Sequence, residues 1–122
     1  MILGIGVDIA EIDRFKPWCS YSSEQLSRIF SPKELEQCKR NGKLSADRLA
    51  SRFAAKEAFF KATQIKIKKW NEVVVKYHNN GKPYLVYDKD LVDFEIKNMD
   101  CSISHDGEYA IGNVVVLTNS PN

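Results

Sequence analysis

Three short stretches of this 122-residue chain carry side chains able to do chemistry. Asp8 interrupts an aliphatic run, Gly4-Ile5-Gly6-Val7-Asp8-Ile9. A carboxylate in an apolar strand is costly unless it is paired or binds a cation. A strand-end Asp in solvent, or one capping a helix, is the ordinary alternative. The second stretch is Lys56-Glu57-Ala58-Phe59-Phe60-Lys61, where Glu57 and Lys61 stand one helical turn apart and share a face. Taken alone, such a pair is more commonly a surface ion pair. The third is Ser102-Ile103-Ser104-His105-Asp106 at the end of a strand. Ser102, Ser104 and Asp106 project to one face there and His105 lies at the turn, a pattern that polar residues entering a hairpin explain equally well.

Several chemistries are excluded. Ser104 and His105 are too close in sequence to be taken as a nucleophile–base pair, and no G-x-S-x-G elbow is present. His78 stands alone without metal-ligand spacing. Gly4-Ile5-Gly6-Val7 is not followed by Gly-Lys-Ser/Thr and is no phosphate-binding loop. Cys19, Cys38 and Cys101 are odd in number and lack CxxC spacing, which argues against a disulfide framework or a zinc site. A reducing cytoplasm fits them, each as a small buried apolar residue. A net charge of +2 does not mark a nucleic-acid binder. No run approaches the roughly 20 apolar residues of a membrane helix, and the first residues carry no sign of a signal peptide.

The elements that must position these groups follow from periodicity. Ile2 to Ile9 predicts a strand, with Gly4 and Gly6 on one side, where something approaches the backbone closely. Glu11 to Cys19 is weakly helical and broken by Pro17. Ser31-Pro32-Lys33-Glu34 predicts a helix start with a capping box, and Gly42 predicts its end. A long helix is expected from about Ser45 to Ala62, with Leu49, Phe53 and Phe60 as its buried stripe. Val73 to Val75 and Tyr84 to Tyr87 are strands around the turn Asn79-Asn80-Gly81-Lys82-Pro83. Asp88 to Asn98 is expected as a short helix with Leu91 and Phe94 inward. Met99 to Ser104 and Ala110 to Leu117 are strands joined at Asp106-Gly107. This order predicts one α+β domain over residues 1–122, an antiparallel sheet packed with a long helix and shorter helices.

Together and in this order the motifs resemble one family. Gly4 to Ile12 looks like the N-terminal G-[IV]-D signature of the small single-domain 4'-phosphopantetheinyl transferases of the acyl-carrier-protein synthase type. Arg52-Phe53-Ala54-Ala55-Lys56-Glu57-Ala58-Phe59-Phe60-Lys61-Ala62 resembles their [FW]-x-x-K-E-[AS]-x-x-K signature. Ser102-Ile103-Ser104-His105 resembles a third element, and Asn80-Gly81-Lys82-Pro83 a G-K-P turn. The resemblance spans nearly the whole chain.

The resemblance implies transfer of 4'-phosphopantetheine from coenzyme A to a serine of an acyl carrier protein, releasing 3',5'-ADP, in support of fatty acid biosynthesis. It implies Mg²⁺ on Asp8 and Glu57, with Glu57 helping to deprotonate the serine and Lys61 neutralising the departing ADP. Arg48, Arg52, Ser104 and His105 are implied for the coenzyme A phosphates. Arg14 and Arg28, with an exposed Trp18 between them, are expected to face the acidic carrier; solvated arginines and a core Trp18 are the ordinary alternative. Larger family members look like two fused copies of such a domain, which implies a homotrimer with sites between subunits. Two departures stand out: Thr63 to Trp70 has no glycine where the family has a glycine-containing loop, and Glu24 stands where a cation is expected. A coenzyme A- or nucleotide-binding module without catalysis is one alternative, although it needs no paired carboxylates. A basic interaction domain using Lys66, Lys68, Lys69 and Trp70 on nucleic acid is the other.

Overall fold

Small residues on one side of the first strand decide how the chain packs. The computed structural model describes residues 2–66, 68–88, 91, 92 and 94–118. In chain order these form β1 (Ile2–Glu11), two 3-10 turns (Ile12–Phe15 and Pro17–Ser20), α1 (Ser23–Leu26), α2 (Pro32–Gln37), β2 (Lys39–Arg40), β3 (Lys43–Leu44) and α3 (Ala46–Thr63). A third 3-10 turn (Trp70–Glu72), β4 (Val73–Tyr77), β5 (Pro83–Tyr87), β6 (Asn98–Asp106) and β7 (Tyr109–Leu117) complete them. The class is α+β, with antiparallel sheets and one long helix.

β7 lies between β1 and β6, antiparallel to both. Gly6 pairs with Val114, and Asp8 with Gly112, which in turn faces Ile103 across the other ladder. One face of this sheet carries α3. A Cβ at Gly6 would fall on the Ala58 carbonyl, and one at Gly4 on that of Ala62. At Gly112 it would stand 2.5 Å from the Ala54–Ala55 peptide. The approach expected at Gly4 and Gly6 is therefore that of the helix backbone, whose buried Ala54, Ala55, Ala58 and Ala62 match the glycines. Two cores flank this contact. Phe59, Phe60, Val73, Val75, Val114 and Val116 form one; Phe15, Leu26, Phe30, Leu49 and Ala110 form the other.

Several expectations are corrected. α2 starts with the expected Ser31–Glu34 capping box but ends at Gln37. Gly42 does not end it; Asn41 and Gly42, both at positive φ, turn the β2–β3 hairpin instead. Asn-Gly with both residues left-handed is the preferred two-residue hairpin turn. A second capping box, Ser22–Gln25, starts α1, a helix outside the sequence expectations although Ser22-x-x-Gln25 carries the local pattern. The helix expected over Asp88 to Asn98 falls partly outside the described residues. Residues 94–97 are not helical, and Asn98 already belongs to β6. Trp18 is not an exposed aromatic: its ring packs 4.5 Å from Phe15 and 5.7 Å from Phe53, and Tyr21 is the exposed ring beside it. The three cysteines are free, and burial pushes the Cys38 and Cys101 thiols up to about 11.

Because Gly6 meets helix backbone, its neighbour has no rotamer with which to yield. Gly6→Ala should cost about 3 kcal/mol or more, the upper range for overpacking. It should lower the melting temperature by roughly 10 °C or more. Circular dichroism melts of the wild type and the variant check this.

Candidate active site

The close contact of β1 and α3 brings together side chains far apart in the chain. Asp8 alternates with Gly6 and Ala10, so it sits on the strand face that α3 covers. Lys61 reaches across from α3, and its Nζ donates to Asp8 Oδ1 at 3.0 Å and to the Val7 carbonyl at 3.0 Å. Glu57 stands one turn before Lys61. It does not pair with Lys61; Trp70 Nε1 donates to its Oε1 at 2.8 Å and Lys68 Nζ to its Oε2 at 3.1 Å. The Asp8 and Glu57 side chains are 17% and 13% exposed, whereas both lysines reach solvent. Each carboxylate is thus mostly enclosed but meets a cation that water can replace.

Behind these carboxylates lies a second, fully enclosed pair. Lys56 is completely buried, and its Nζ donates to Glu34 Oε1 at 2.7 Å, to the Ile29 carbonyl at 2.6 Å and to the Trp70 carbonyl at 3.1 Å. Glu34 Oε1 also accepts from the Ser31 N–H, and its Oε2 accepts from the Val75 N–H at 2.9 Å. Burial pulls the Lys56 ammonium below the usual lysine range, while the Glu34 carboxylate opposes that fall. One ion pair therefore ties α2, α3, β4 and the turn at Trp70 together.

The remaining expected residues divide. Arg48 donates to the carbonyls of Gln37 at 3.2 Å and Lys39 at 2.8 Å, closing the end of α2. Arg52 is buried; it donates to the Arg48 carbonyl, and its guanidinium lies 5.0 Å from the Tyr77 ring centre. Its Nε has no partner. Ser104 and His105 are exposed on β6. β6 is two strands from β1, roughly 10 Å at ordinary strand spacing. Asp8 shares its row with Gly112 and Ile103, and His105 shares the next row on that face with Ala110 and Ala10, exposed where they are buried. The fold thus brings Lys61 onto Asp8, keeps Glu57 one helical turn before Lys61 in contact with Lys68 and Trp70, and leaves Ser104 and His105 on the far strand. Arg14, in the first 3-10 turn, and Arg28, just after α1, are both exposed.

The one ring of the Thr63 to Trp70 segment, that of Trp70, settles inward. Trp70 stacks on Phe53 at 6.2 Å and meets Phe60 edge-on, and Lys68 is engaged with Glu57. That is the opposite of an aromatic platform offered to a nucleic-acid strand. The buried Lys56–Glu34 pair and the indole contact of Trp70 with Glu57 were outside the sequence reading, which gave Trp70 only as a ring for nucleic acid. A signal existed for Lys56: Leu49, Phe53, Lys56 and Phe60 follow helical periodicity, so a lysine stands inside the apolar stripe and must be paired there.

Comparison with known proteins now bears on this arrangement. The 4'-phosphopantetheinyl transferase superfamily profile matches residues 4–114. The chain belongs to that superfamily. It is 40% identical to the holo-[acyl-carrier-protein] synthase of Trichlorobacter lovleyi over 95% of this chain and 98% of that one. It is 36% identical to that of Ehrlichia chaffeensis, over 97% and 98%. Among solved structures, the Helicobacter pylori holo-[acyl-carrier-protein] synthase in complex with coenzyme A superposes with a TM-score of 0.81. It is 32% identical, covering 93% of this chain and 99% of that one. The Neisseria meningitidis synthase matches with a TM-score of 0.81 at 28% identity, over 97% and 100%. As a phosphopantetheinyl transferase the chain is an enzyme, and the resemblance read from its three signatures is the correct one.

Breaking the inner ion pair tests its place in the structure. Lys56→Met leaves Glu34 buried without its cation and should cost about 3–5 kcal/mol. Adding Glu34→Gln should return part of that loss. Urea unfolding of the single and double variants measures both.

Proposed function

We propose that this transferase moves 4'-phosphopantetheine from coenzyme A to a serine of apo-acyl carrier protein, with Mg²⁺, in the cytoplasm and in support of fatty acid biosynthesis. The observation that carries the reading is the contact of Lys61 on α3 with Asp8 on β1, with Glu57 one helical turn before Lys61 on the same helix face. The Helicobacter pylori relative, described in complex with coenzyme A, supports the choice of donor. The single domain of residues 1–122 is part of the same proposal.

The donor set suits the metal. Two mostly enclosed carboxylates offer oxygen ligands only, each facing an exchangeable cation. Mg²⁺ is typically held by one or two carboxylates together with waters and substrate phosphate oxygens. Asp8 and Glu57 would hold it, and it would supply charge neutralisation at the pyrophosphate. Phosphoryl transfer is chiefly positioning and charge stabilisation. Glu57 accepts the proton of the serine hydroxyl, directly or through water, as the serine oxygen bonds to the pantetheine phosphorus. The bond from that phosphorus to the pyrophosphate bridging oxygen breaks, and Lys61 balances the charge that gathers on 3',5'-ADP. Arg48, Arg52, Ser104 and His105 hold the phosphates of coenzyme A. Since Arg48 and Arg52 are engaged with carbonyls of the protein itself, their contribution includes the positive field at the start of α3. The exposed Arg14 and Arg28 face the acidic carrier, and Trp18 braces that surface from beneath.

Assembly as a homotrimer completes the proposal. The outer face of the sheet exposes Ile5 (62%), Val7 (55%) and Ile9 (60%), flanked by Tyr109 and Ile111. A contiguous apolar patch of this kind marks an interaction surface. Asp8 and His105 stand on the two opposite strands of that sheet, so His105 of one subunit serves the Asp8–Glu57 pair of the next.

Asp8→Ala and Glu57→Ala should each reduce turnover by about a hundredfold or more while the fold persists. Mass spectrometry of apo-carrier incubated with coenzyme A and Mg²⁺ reads the phosphopantetheine adduct, and full activity in either folded variant sinks the assignment. Subunit mixing tests the shared site. Asp8→Ala and His105→Ala proteins should each be poorly active and regain activity after exchange; no regain despite proven exchange refutes the shared site, and a monomer on sedimentation refutes the trimer.

A further inference from the structure

The two donors on Glu57 are unlike each other. Lys68 is 40% exposed and holds Oε2 from the end of a flexible stem. Trp70 holds Oε1 from a ring fixed on both sides, stacked on Phe53 with planes 20° apart and set edge-on to Phe60 at 82°. Its backbone is fixed too. The Trp70 carbonyl accepts from Lys56, whose ammonium is completely buried and also bound to Glu34 and the Ile29 carbonyl. The turn that Trp70 opens leads directly into β4, where Glu34 holds the Val75 N–H. The indole N–H is therefore placed by the core, whereas the lysine is placed only by charge.

We propose that Trp70 is the positioning residue of Glu57, locking Oε1 through its indole N–H and leaving Oε2 as the oxygen that exchanges Lys68 for a divalent cation. This rests on the reading of Glu57 as a metal-holding carboxylate given above. An indole N–H donates and cannot accept, so Trp70 orients the carboxylate without competing for the cation. A carboxylate with one oxygen locked also loses little rotational freedom when the other is taken, which is how a rigid support raises the affinity of a site. Lys68 acts as a placeholder: it keeps the carboxylate compensated before the cation arrives and, being exposed, leaves at small cost. The glycine-free segment from Thr63 to Trp70 belongs to this device, since it carries both donors.

Trp18 and Trp70 are the two tryptophans of the chain, so a Trp18→Phe background makes Trp70 the sole indole reporter. Titration with Mg²⁺ alone should give a saturable change in its emission that Glu57→Gln abolishes. Trp70→Phe, which keeps a ring but loses the N–H, should lower kcat about tenfold and raise the Mg²⁺ needed for half-activation about tenfold, the size of one hydrogen bond to a charged group. The KM for coenzyme A should stay within about twofold, because uniform binding is untouched. Lys68→Gln should lower the Mg²⁺ requirement. A folded Trp70→Phe with wild-type kcat and Mg²⁺ dependence, beside an inactive Glu57→Gln, overturns the positioning role alone. An active Glu57→Gln overturns the metal reading beneath it. Should Trp70→Phe not fold, the emission titration decides: Mg²⁺ activation that saturates without any change in Trp70 emission refutes the proposal.

Discussion

Everything at the site depends on α3 lying against the sheet at backbone distance. Gly4, Gly6 and Gly112 on the strands face Ala54, Ala55, Ala58 and Ala62 on the helix, and no side chain separates them. The consequence is chemical as well as structural. A helix held off by Leu or Val side chains would leave Lys61 too far from Asp8 to make its 3.0 Å contact. Small residues contribute little apolar area, so the stability of this contact comes from its flanks, where the phenylalanines and valines of both cores bury their side chains. The contact that sets Lys61 on Asp8 is thus held in shape by what surrounds it.

The Lys56–Glu34 pair works on a different principle. Both charges leave water, and the attraction between them offsets that cost only because every acceptor and donor is used. Lys56 has three partners, and Glu34 takes two backbone N–H groups besides the ammonium. An apolar pair of similar volume could fill the same space, but it would not direct four backbone groups, the Ile29 and Trp70 carbonyls and the Ser31 and Val75 N–H, to one point. The pair is best understood as fixing geometry: it sets the position of Trp70 relative to α3, and hence the setting of Glu57.

The signatures themselves were legible because residue type and local period carry them. The apolar alternation of β1, the Ser31–Glu34 capping box and the long glycine-free α3 are all local properties, and the structure repeats them nearly residue for residue. What escaped was pairing at a distance. Glu34 was legible as a cap but not as the counterion of Lys56, because its second role depends on where α2 lies against α3. Glu57 and Lys61 share a face as their spacing implies, yet each finds a different partner, one from β1 and one from the segment after the helix. Trp18 shows the same limit: its position between two arginines suggested exposure, and only the placement of Phe15 and Phe53 shows that its ring is core. Asn41-Gly42 is a different case, since its turn signal is local and outranks the helix stop that a lone glycine suggests.

The strand β1 also joins site to assembly. Alternation along a strand sends successive side chains to opposite faces, so Gly6 and Asp8 turn to the helix while Ile5, Val7 and Ile9 turn outward. A slip of one residue against β7 would exchange these sets, driving isoleucines into a helix that admits only glycine and sending Asp8 to the apolar outer face. Each set therefore enforces the register that the other needs. If the outer face is buried between subunits, as proposed, association would stiffen the very strand that carries Asp8, with no separate contact required to couple assembly to the site. The position of Asp8 would then depend on two surfaces at once: the helix beneath it, fixed by glycine and alanine, and the neighbouring subunit above, held by the isoleucines.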